Sequence, residues 1–503
     1  MKSYPFRWVG SDIDSMIKWH HLKNKLTGMQ NRHFLFVSLS LISLFIISCV
    51  TACAPLHLPS ITPTSLSTTD SPMKQETKWA TPSAEPTSAW KINKNDLRGM
   101  EINLWQPWLG EQEPVLQSFI DEFNRTNEWG IIVKMRTIGG IDELAQEVQT
   151  AWGSSNLPDF VIAYAFQAQN WQKIKPLVID WQPYVADIQW GIPASEQESF
   201  LPNIWQSSVV AGNRWGIPAR RDGQVMFANR SWAEELGIFT LPDTPEMFRK
   251  EACAAAAASA KDPQTKLPLS GGWVLSQEYP TIYGWISAFQ GDIVAKDDLT
   301  YRFSTTEVKR SFQYLRQLYD DGCIIQLKDM NPSDALAERK GLFVSASSQE
   351  IPEFQDAFKL NGNSDDWTII PIPAVDGKAR MAVYGMDYIL LQSDPKRQLA
   401  SWLFVKWMIT AQNQKRWSEQ TLSLPFHKEV LTQLKGNADL PIPFQEVLNQ
   451  VENAQPEPAL ASWNTVRWML SDASRQLFAW YFTADQIDNL LKLLDTTANT
   501  ISK

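Results

Sequence analysis

Alternating apolar and polar positions begin near Met100 and predict a strand followed by a helix. Ile102 and Leu104 alternate with polar residues, as in a half-buried strand. Pro114 is suited to the first turn of a helix. Apolar residues then recur at helical spacing, and they are Val115, Leu116, Phe119, Ile120 and Phe123. The folded part of the chain therefore opens with a strand and an amphipathic helix.

The alternation of strand and helix continues downstream. Residues 131–135 predict a second strand, 142–152 a second amphipathic helix and 160–163 a third strand. This order predicts an α/β fold with a mainly parallel sheet and helices on both faces. Ligands of such sheets bind beyond the carboxyl ends of the strands. The residues that follow these strands are therefore candidates for a site, and they are Trp105, Trp108, Tyr164 and Gln167.

Farther along, the pattern is mostly helical. Thr244 and Pro245 predict the N-cap and first residue of a helix that runs through the alanines at 254–258. Thr306 predicts the cap of another helix, which Gly322 ends. Two more helices are predicted at 397–410 and 485–498.

An apolar run at 34–47 lies ahead of the folded part and predicts an export signal. It is shorter than the roughly 20 residues that span a bilayer. Two overlapping lipobox-like sequences follow, ending at Cys49 and Cys53. The small residues before Cys53 favour it as the lipidated cysteine, with Cys49 as the alternative. Residues 1–53 are interpreted as the signal region, with 1–28 a candidate misassigned start because Met29 opens a signal of normal length.

The next segment, 54–97, is rich in Ser, Thr and Pro. Such a composition buries too little apolar surface to order itself. It predicts a flexible linker that holds a lipid-anchored domain away from the membrane surface.

Composition narrows the classes of function. The 503-residue length predicts more than one domain, and the formal charge of −9 argues against nucleic-acid binding. Beyond Cys53 the histidines are only His57 and His427, which excludes a His-based triad or a multi-His metal site in the folded region. No phosphate-binding or dinucleotide motif is present. We therefore expect no metal and no cofactor.

Two cysteines, Cys253 and Cys323, lie beyond the signal. Disulfides persist outside the cytoplasm, and the even count favours a bridge between the two helices that carry these residues. Two separate buried thiols are the alternative.

Several short segments together resemble a known family. They include the WQPW sequence and the end of the first helix, and their positions are 105–108, 121–124, 157–161, 216–218, 227–230 and 458–467. In this order and spacing, the chain resembles family 1 extracellular solute-binding proteins, the group that includes maltodextrin-binding proteins.

The resemblance implies two α/β lobes with a ligand cleft between them and three crossing segments, near 217–221, 382–384 and 424–427. The first lobe would comprise 98–217 plus 385–425, and the second 218–384 plus 426–503. Members of this family close on a ligand and dock on a membrane permease. The resemblance therefore implies a monomeric, non-enzymatic protein that carries a mono- or oligosaccharide to an ABC transporter.

A sugar-binding site needs aromatic faces and planar hydrogen-bonding groups. Within the resembling segment, the aromatic residue at Trp463 commonly stacks on the sugar, and Arg467 follows one helical turn later. Phe343 lies near the place where maltodextrin binders carry a tryptophan, and this departure puts a maltodextrin ligand in doubt. Candidates beside the crossings and among glycines complete the set: Arg220, Arg221, Gln224, Trp273, Trp285, Tyr384 and Tyr388.

Two other interpretations stay open. Most tryptophans pack in protein cores, and Arg220 with Arg221 could be a surface pair. A secreted glycosidase with two carboxylates, drawn from Asp159, Asp222 and Asp387, needs no histidine. A surface sugar sensor or adhesin could share the same fold.

Overall fold

A computed structural model of the chain describes residues 88–259, 271–295, 299–326, 330–378 and 380–503. The predicted signal region, with Cys49 and Cys53, and most of the predicted linker lie outside these residues. The end of the predicted linker is folded: Trp90 stacks on Tyr184 with ring centroids 4.4 Å apart, and Leu97 is fully buried. The folded body thus begins before residue 98, because three apolar residues interrupt the polar composition after Ser88.

Within the described residues, fourteen strands form two large sheets and one small hairpin. In chain order they are β1 (Glu101–Gln106), β2 (Ile132–Thr137), β3 (Phe160–Ala163), β4 (Val209–Val210), β5 (Asn213–Arg214), β6 (Ile217–Pro218), β7 (Asp222–Asn229), β8 (Gly271–Val274), β9 (Ile324–Ile325), β10 (Gly341–Ser347), β11 (Trp367–Ile370), β12 (Met381–Tyr384), β13 (Asp387–Leu390) and β14 (Ala454–Pro456).

The α-helices cover both sheets. They are α1 (Gln112–Thr126), α2 (Ile141–Ala151), α3 (Ala165–Ile174), α4 (Gln182–Ala186), α5 (Ala194–Gln197), α6 (Pro202–Trp205), α7 (Arg230–Glu235), α8 (Pro245–Ser259), α9 (Tyr279–Ala288), α10 (Thr306–Asp320), α11 (Pro332–Ala337), α12 (Ile351–Leu360), α13 (Pro395–Met408), α14 (Ala411–Thr421), α15 (Lys428–Lys435), α16 (Ile442–Leu448), α17 (Trp463–Leu477) and α18 (Ile487–Ser502).

The first lobe is built on the sheet β2-β1-β3-β13-β6. As predicted, β1 is parallel to both β2 and β3, and α1 buries Leu116, Phe119, Ile120 and Phe123. Strand β13 runs antiparallel to β3 and β6, so the sheet is mixed. The reason is connectivity: β13 follows β12 of the other sheet after a two-residue passage, without the helical crossover that a parallel neighbour needs.

The second lobe is built on the sheet β14-β12-β7-β10-β8-β9, with β11 also paired to β7. Strand β7 is buried along its whole length and runs antiparallel to β10, β11 and β12. The prediction of a mainly parallel sheet is therefore wrong for this lobe. The central strand β7 is covered on both faces, so its residues do not alternate between apolar and polar. For this reason the strand was not predicted.

Three passages connect the lobes. Strand β6 ends at Pro218 in the first sheet and β7 begins at Asp222 in the second; β12 ends at Tyr384 and β13 begins at Asp387. Helix α14 packs on α1 in the first lobe, whereas β14 pairs with β12 in the second, so the chain passes between the lobes once more between these elements.

The predicted helices at 245 and 306 are present as α8 and α10. The cap of α10 is Thr305 rather than Thr306, since the Thr305 side chain accepts a hydrogen bond from the Val308 N–H. Cys253 of α8 and Cys323, which follows α10, are joined by a disulfide, with their Cα atoms 4.5 Å apart. Within the described ranges, no helix has the length and apolar character needed to cross a membrane.

Candidate functional site

Arg221 of the first passage forms hydrogen bonds with the other segments that run between the lobes. Its Nη1 donates to the Met386 carbonyl at 2.8 Å, and its Nη2 donates to Asp387 Oδ1 at 2.5 Å, both partners belonging to the second passage. Its backbone N–H donates to Ser423 Oγ at 3.0 Å, and its carbonyl accepts from the Leu424 N–H at 2.8 Å. Arg221 therefore connects the first passage to the second and to the segment that follows α14.

Gly385 makes this close approach possible. It has a φ of +149°, and a Cβ at this position would lie 2.1 Å from the Arg220 carbonyl oxygen. The missing side chain thus admits the backbone of the first passage.

Arg220 is 4% exposed and forms a bidentate ion pair with Asp222. The distances are 2.8 Å from Nε to Oδ2 and 3.0 Å from Nη2 to Oδ1. The third nitrogen, Nη1, has no partner among the described residues. Arg220 lines a cavity of about 380 Å³ together with Glu111, Gln112 and Gln349. Nη1 is itself buried, so Arg220 borders this cavity chiefly as the partner of Asp222.

A second opening lies between the lobes on the side of β14. A narrow cavity is bounded by Phe166 of the first lobe, by Arg221 and Tyr384 of the passages and by Glu457 of the second lobe. It shares Ser207 and residues 456–459 with a neighbouring cavity of about 380 Å³. The two cavities thus form one cleft with walls from both lobes.

Glu457 is the central polar group of this cleft. Its Oε2 accepts hydrogen bonds from Tyr279 Oη at 3.0 Å and from Trp463 Nε1 at 2.8 Å. Among the described residues, no side chain or backbone group donates to its Oε1. Burial raises the pKa of the Glu457 carboxyl, and the hydrogen bond from Trp463 and the charge of Arg467 oppose this effect. The arrangement leaves one fixed carboxylate oxygen to accept from a ligand hydroxyl.

Several predicted site residues lie at or beside the cleft. Tyr384 lines it, and Gln224 donates to Thr281 Oγ1 at 3.1 Å in the second sheet. Trp463 lies in the wall behind Glu457, with its ring enclosed by Tyr279, Tyr283 and Tyr301. It is fully buried. In this arrangement Trp463 acts on the cleft through its N–H, and its ring faces are covered by tyrosines.

Other predicted residues pack in the cores instead. Trp273 and Trp285 lie in β8 and α9 and contact each other with ring centroids 5.6 Å apart. Phe343 of β10 packs on Phe248, and Tyr388 of β13 packs on Phe404. All four predicted side chains are at most 1% exposed. Gly272 beside Trp273 lets β8 approach the backbone of α8 closely, which is a packing role and not a sign of a ligand site.

The residues predicted at strand ends also differ from expectation. Trp105 is buried under the guanidinium of Arg136, at 4.8 Å from the ring centroid, and Trp108 packs on Trp417 at 5.7 Å. Gln167 Oε1 accepts from the Tyr164 N–H at 3.1 Å and so caps α3. A strand-end position therefore did not suffice to place these side chains in a cleft.

Sequence reasoning missed Glu457, Tyr279, Tyr283 and Phe166. Glu457 directly precedes the segment that carries the family resemblance, and a charged residue between two prolines was a usable signal. The tyrosines and Phe166 have no such signal, because their apolar neighbours make them look like helix core.

The carboxylates considered for a glycosidase are each paired with a guanidinium. Asp159 accepts two hydrogen bonds from Arg397, at 2.6 and 2.5 Å, while Asp222 and Asp387 bind Arg220 and Arg221. In the structure all three carboxylates serve as ion-pair partners.

Comparison with known proteins agrees with this architecture. The family model described as "Bacterial extracellular solute-binding protein" matches residues 118–441. No relative among curated proteins matches the chain.

Solved structures share the fold at low sequence identity. A cyclic α-maltosyl-1,6-maltose binding protein from Arthrobacter globiformis is 15% identical, with a TM-score of 0.67, covering 80% of this chain and 99% of that one. The sugar-binding protein MalE from Xanthomonas citri is 16% identical, with a TM-score of 0.68 and coverage of 80% and 97%. UgpB from Mycobacterium tuberculosis, solved with glycerophosphocholine, is 15% identical, with a TM-score of 0.63 and coverage of 80% and 98%.

The chain has a two-lobed α/β architecture with a cleft between the lobes, and the family model matches most of its folded residues. The chain belongs to the bacterial extracellular solute-binding proteins, a family of binding proteins that act outside the cytoplasm.

Proposed function

We propose that this protein binds an uncharged carbohydrate in the cleft beside Glu457 and delivers it to an ABC-type permease. The observation that carries the proposal is the free Oε1 of Glu457, which Tyr279 and Trp463 hold in place. Aromatic side chains also line the cleft, and they are Phe166, Tyr283 and Tyr384. Sugar hydroxyls are donors that a fixed carboxylate recognises, and C–H faces of a sugar pack on aromatic rings.

The charge balance of the cleft supports a neutral ligand. Arg220 is paired with Asp222, and Arg221 is paired with Asp387. The charge of Arg467 stabilises the ionised form of Glu457. A charged ligand would need an unpaired opposite charge to repay its desolvation, and these groups are already compensated.

The remaining parts of the proposal concern location and partners. Lipidation at Cys53, with Cys49 as the alternative, would tether the protein to the membrane surface through the Ser/Thr/Pro-rich linker. The lobes would comprise 98–217 plus 385–425 and 218–384 plus 426–503, and the protein would act as a monomer. Structural relatives that bind maltose, maltotriose or cyclic oligosaccharides support a sugar as the ligand class.

A thermal-shift screen of the purified protein tests the ligand class. The panel would contain maltose, maltotriose, cyclic oligosaccharides, glycerophosphocholine and amino acids. We expect at least one neutral sugar to raise the melting temperature, because a ligand that binds only the folded state stabilises it. A shift with glycerophosphocholine or amino acids alone would contradict the proposal.

Replacing Glu457 by glutamine is expected to weaken sugar binding by about tenfold to a hundredfold, the scale of a lost charge-assisted hydrogen bond. Because burial raises the pKa of this carboxyl, the acceptor protonates on acidification at a higher pH than an exposed glutamate does. Wild-type affinity should therefore be lower in acidic than in neutral solution, and the affinity of Glu457→Gln should stay flat. Calorimetric titration at pH 7 and at pH 5 measures the two effects.

Glu452→Gln is the matched control, since Glu452 is exposed and pairs only with Lys435. It should bind as the wild type does at both pH values. An equal loss of affinity in both variants would place the effect outside the cleft, and an unchanged Glu457→Gln would remove Glu457 from the site.

A further inference from the structure

Arg467 of α17 occupies a cage of aromatic rings. Its guanidinium carbon lies over four ring centroids, at 5.4 Å from Tyr164, 4.6 Å from Phe166, 5.8 Å from Tyr279 and 5.1 Å from Trp468. The side chain is 7% exposed, and its Nε has no hydrogen-bond partner among the described residues. Ring faces therefore supply a large part of its stabilisation, as in cation–π contacts.

The cage has walls from both lobes. Tyr164 and Phe166 follow β3 of the first sheet, whereas Tyr279 and Trp468 belong to helices α9 and α17 of the second lobe. Phe166 is 1% exposed and is buried within the hydrophobic core of the second lobe. The cage is complete only when the two lobes are in contact.

Two hydrogen bonds reinforce the same interface. Gln169 Nε2 of α3 donates to the Ala459 carbonyl, and Lys173 Nζ donates to the Ser502 carbonyl at 3.3 Å. Both join the first lobe directly to the second. Lys173 is exposed, so its bond to Ser502 adds little. The fixed polar links on this side of the cleft are therefore the Gln169–Ala459 hydrogen bond and the buried guanidinium in its cage.

We propose that Arg467 is an interlobe clasp that stabilises the closed form through the protein's own aromatic cage. The ligand-free protein then populates the closed form, and the apparent dissociation constant depends on that population. Arg467 changes the affinity for every ligand by the same factor and does not contribute to selectivity between ligands. The effect of Arg467 on affinity rests on the proposed function, whereas its effect on lobe closure does not.

Small-angle X-ray scattering of the purified, ligand-free protein tests the clasp. Arg467→Ala should lower the closed population about tenfold and enlarge the radius of gyration. Phe166→Leu, which removes one of the four rings and leaves the other three, should open the protein in the same direction but to a smaller extent. The double variant should open little further than Arg467→Ala, since the Phe166 ring has already lost its guanidinium partner in that variant.

Arg475→Ala is the matched control. It lies on the same helix, and its partners Asp472 and Glu278 both belong to the second lobe. It should leave the scattering curve unchanged. If Arg467→Ala does not fold, Arg467→Lys serves instead, because it keeps the charge and loses the planar group that stacks on the rings.

The proposal is contradicted if the Arg467 variant scatters as the wild type does, or if the ligand-free wild type is open. It is also contradicted if the effects of Arg467→Ala and Phe166→Leu add in full. Affinity for maltotriose and maltose, where they bind, should fall by the same factor in Arg467→Ala. A factor that differs strongly between the two sugars would make Arg467 a ligand contact instead. If neither sugar binds, the scattering measurements alone still test whether Arg467 stabilises the closed form.

Discussion

Replacing Asp387 by asparagine is expected to lower the free energy of unfolding by about 3–5 kcal/mol, the typical cost of breaking a buried ion pair on one side. Asp387 is 1% exposed and its partner Arg221 is 4% exposed. The substitution keeps the shape of the side chain, so the packing of Gly216 against it is retained. It leaves the guanidinium of Arg221 buried without a compensating charge. Urea unfolding of both proteins measures the difference.

Asp488→Asn is the control, because the pair of Asp488 with Lys309 is exposed on both sides. Pairs of this kind contribute about 1 kcal/mol or less. If Asp387→Asn is no more destabilising than Asp488→Asn, the role of Arg221 as the link between the passages is refuted.

Removing the disulfide is expected to cost roughly 4 kcal/mol in the chain-entropy account. Cys253 and Cys323 are 70 residues apart in sequence, so the bridge restricts a long loop of the unfolded chain. The variant Cys253→Ala/Cys323→Ala, compared with the oxidised wild type in urea, measures this effect. The reduced wild type provides a second comparison in which no side-chain atoms other than the thiol hydrogens change.

A bridge in the protein should also appear directly as a two-proton mass difference between the oxidised and reduced forms. Free thiols in protein isolated without reductant would show that the two cysteines remain separate. Equal stability of the oxidised wild type and the double-alanine variant would show that the bridge does not restrain the unfolded chain.

The sequence predicts much of the first lobe because its elements follow simple periodic patterns. Strand β1 and helix α1 bury the apolar positions of their periodic patterns, and the short apolar run of β3 is buried throughout. The second lobe was harder to predict, because β7 and β10 are covered on both faces and show no alternation. Antiparallel pairing there follows from chain passages between sheets, which no local pattern encodes.

The site was predicted less well than the fold. Trp273 and Phe343 are aromatic residues with the chemistry of a sugar site, yet they pack on Phe248 in the core. Residue type alone cannot distinguish a core aromatic from a cleft aromatic. Arg220, Arg467 and Tyr384 were predicted from their position beside crossings or a motif. Glu457 was not predicted, because one of its two donors, Tyr279, lies 178 residues away in the sequence.

The central claim is that the cleft beside Glu457 binds an uncharged sugar without changing it. Calorimetric titration of the purified protein with the neutral sugars and charged ligands of the screening panel, followed by chromatography of the recovered ligand, tests it most directly. The account predicts one-to-one binding of a neutral sugar that is recovered intact. Binding of only charged ligands, or recovery of a hydrolysed sugar, would contradict it.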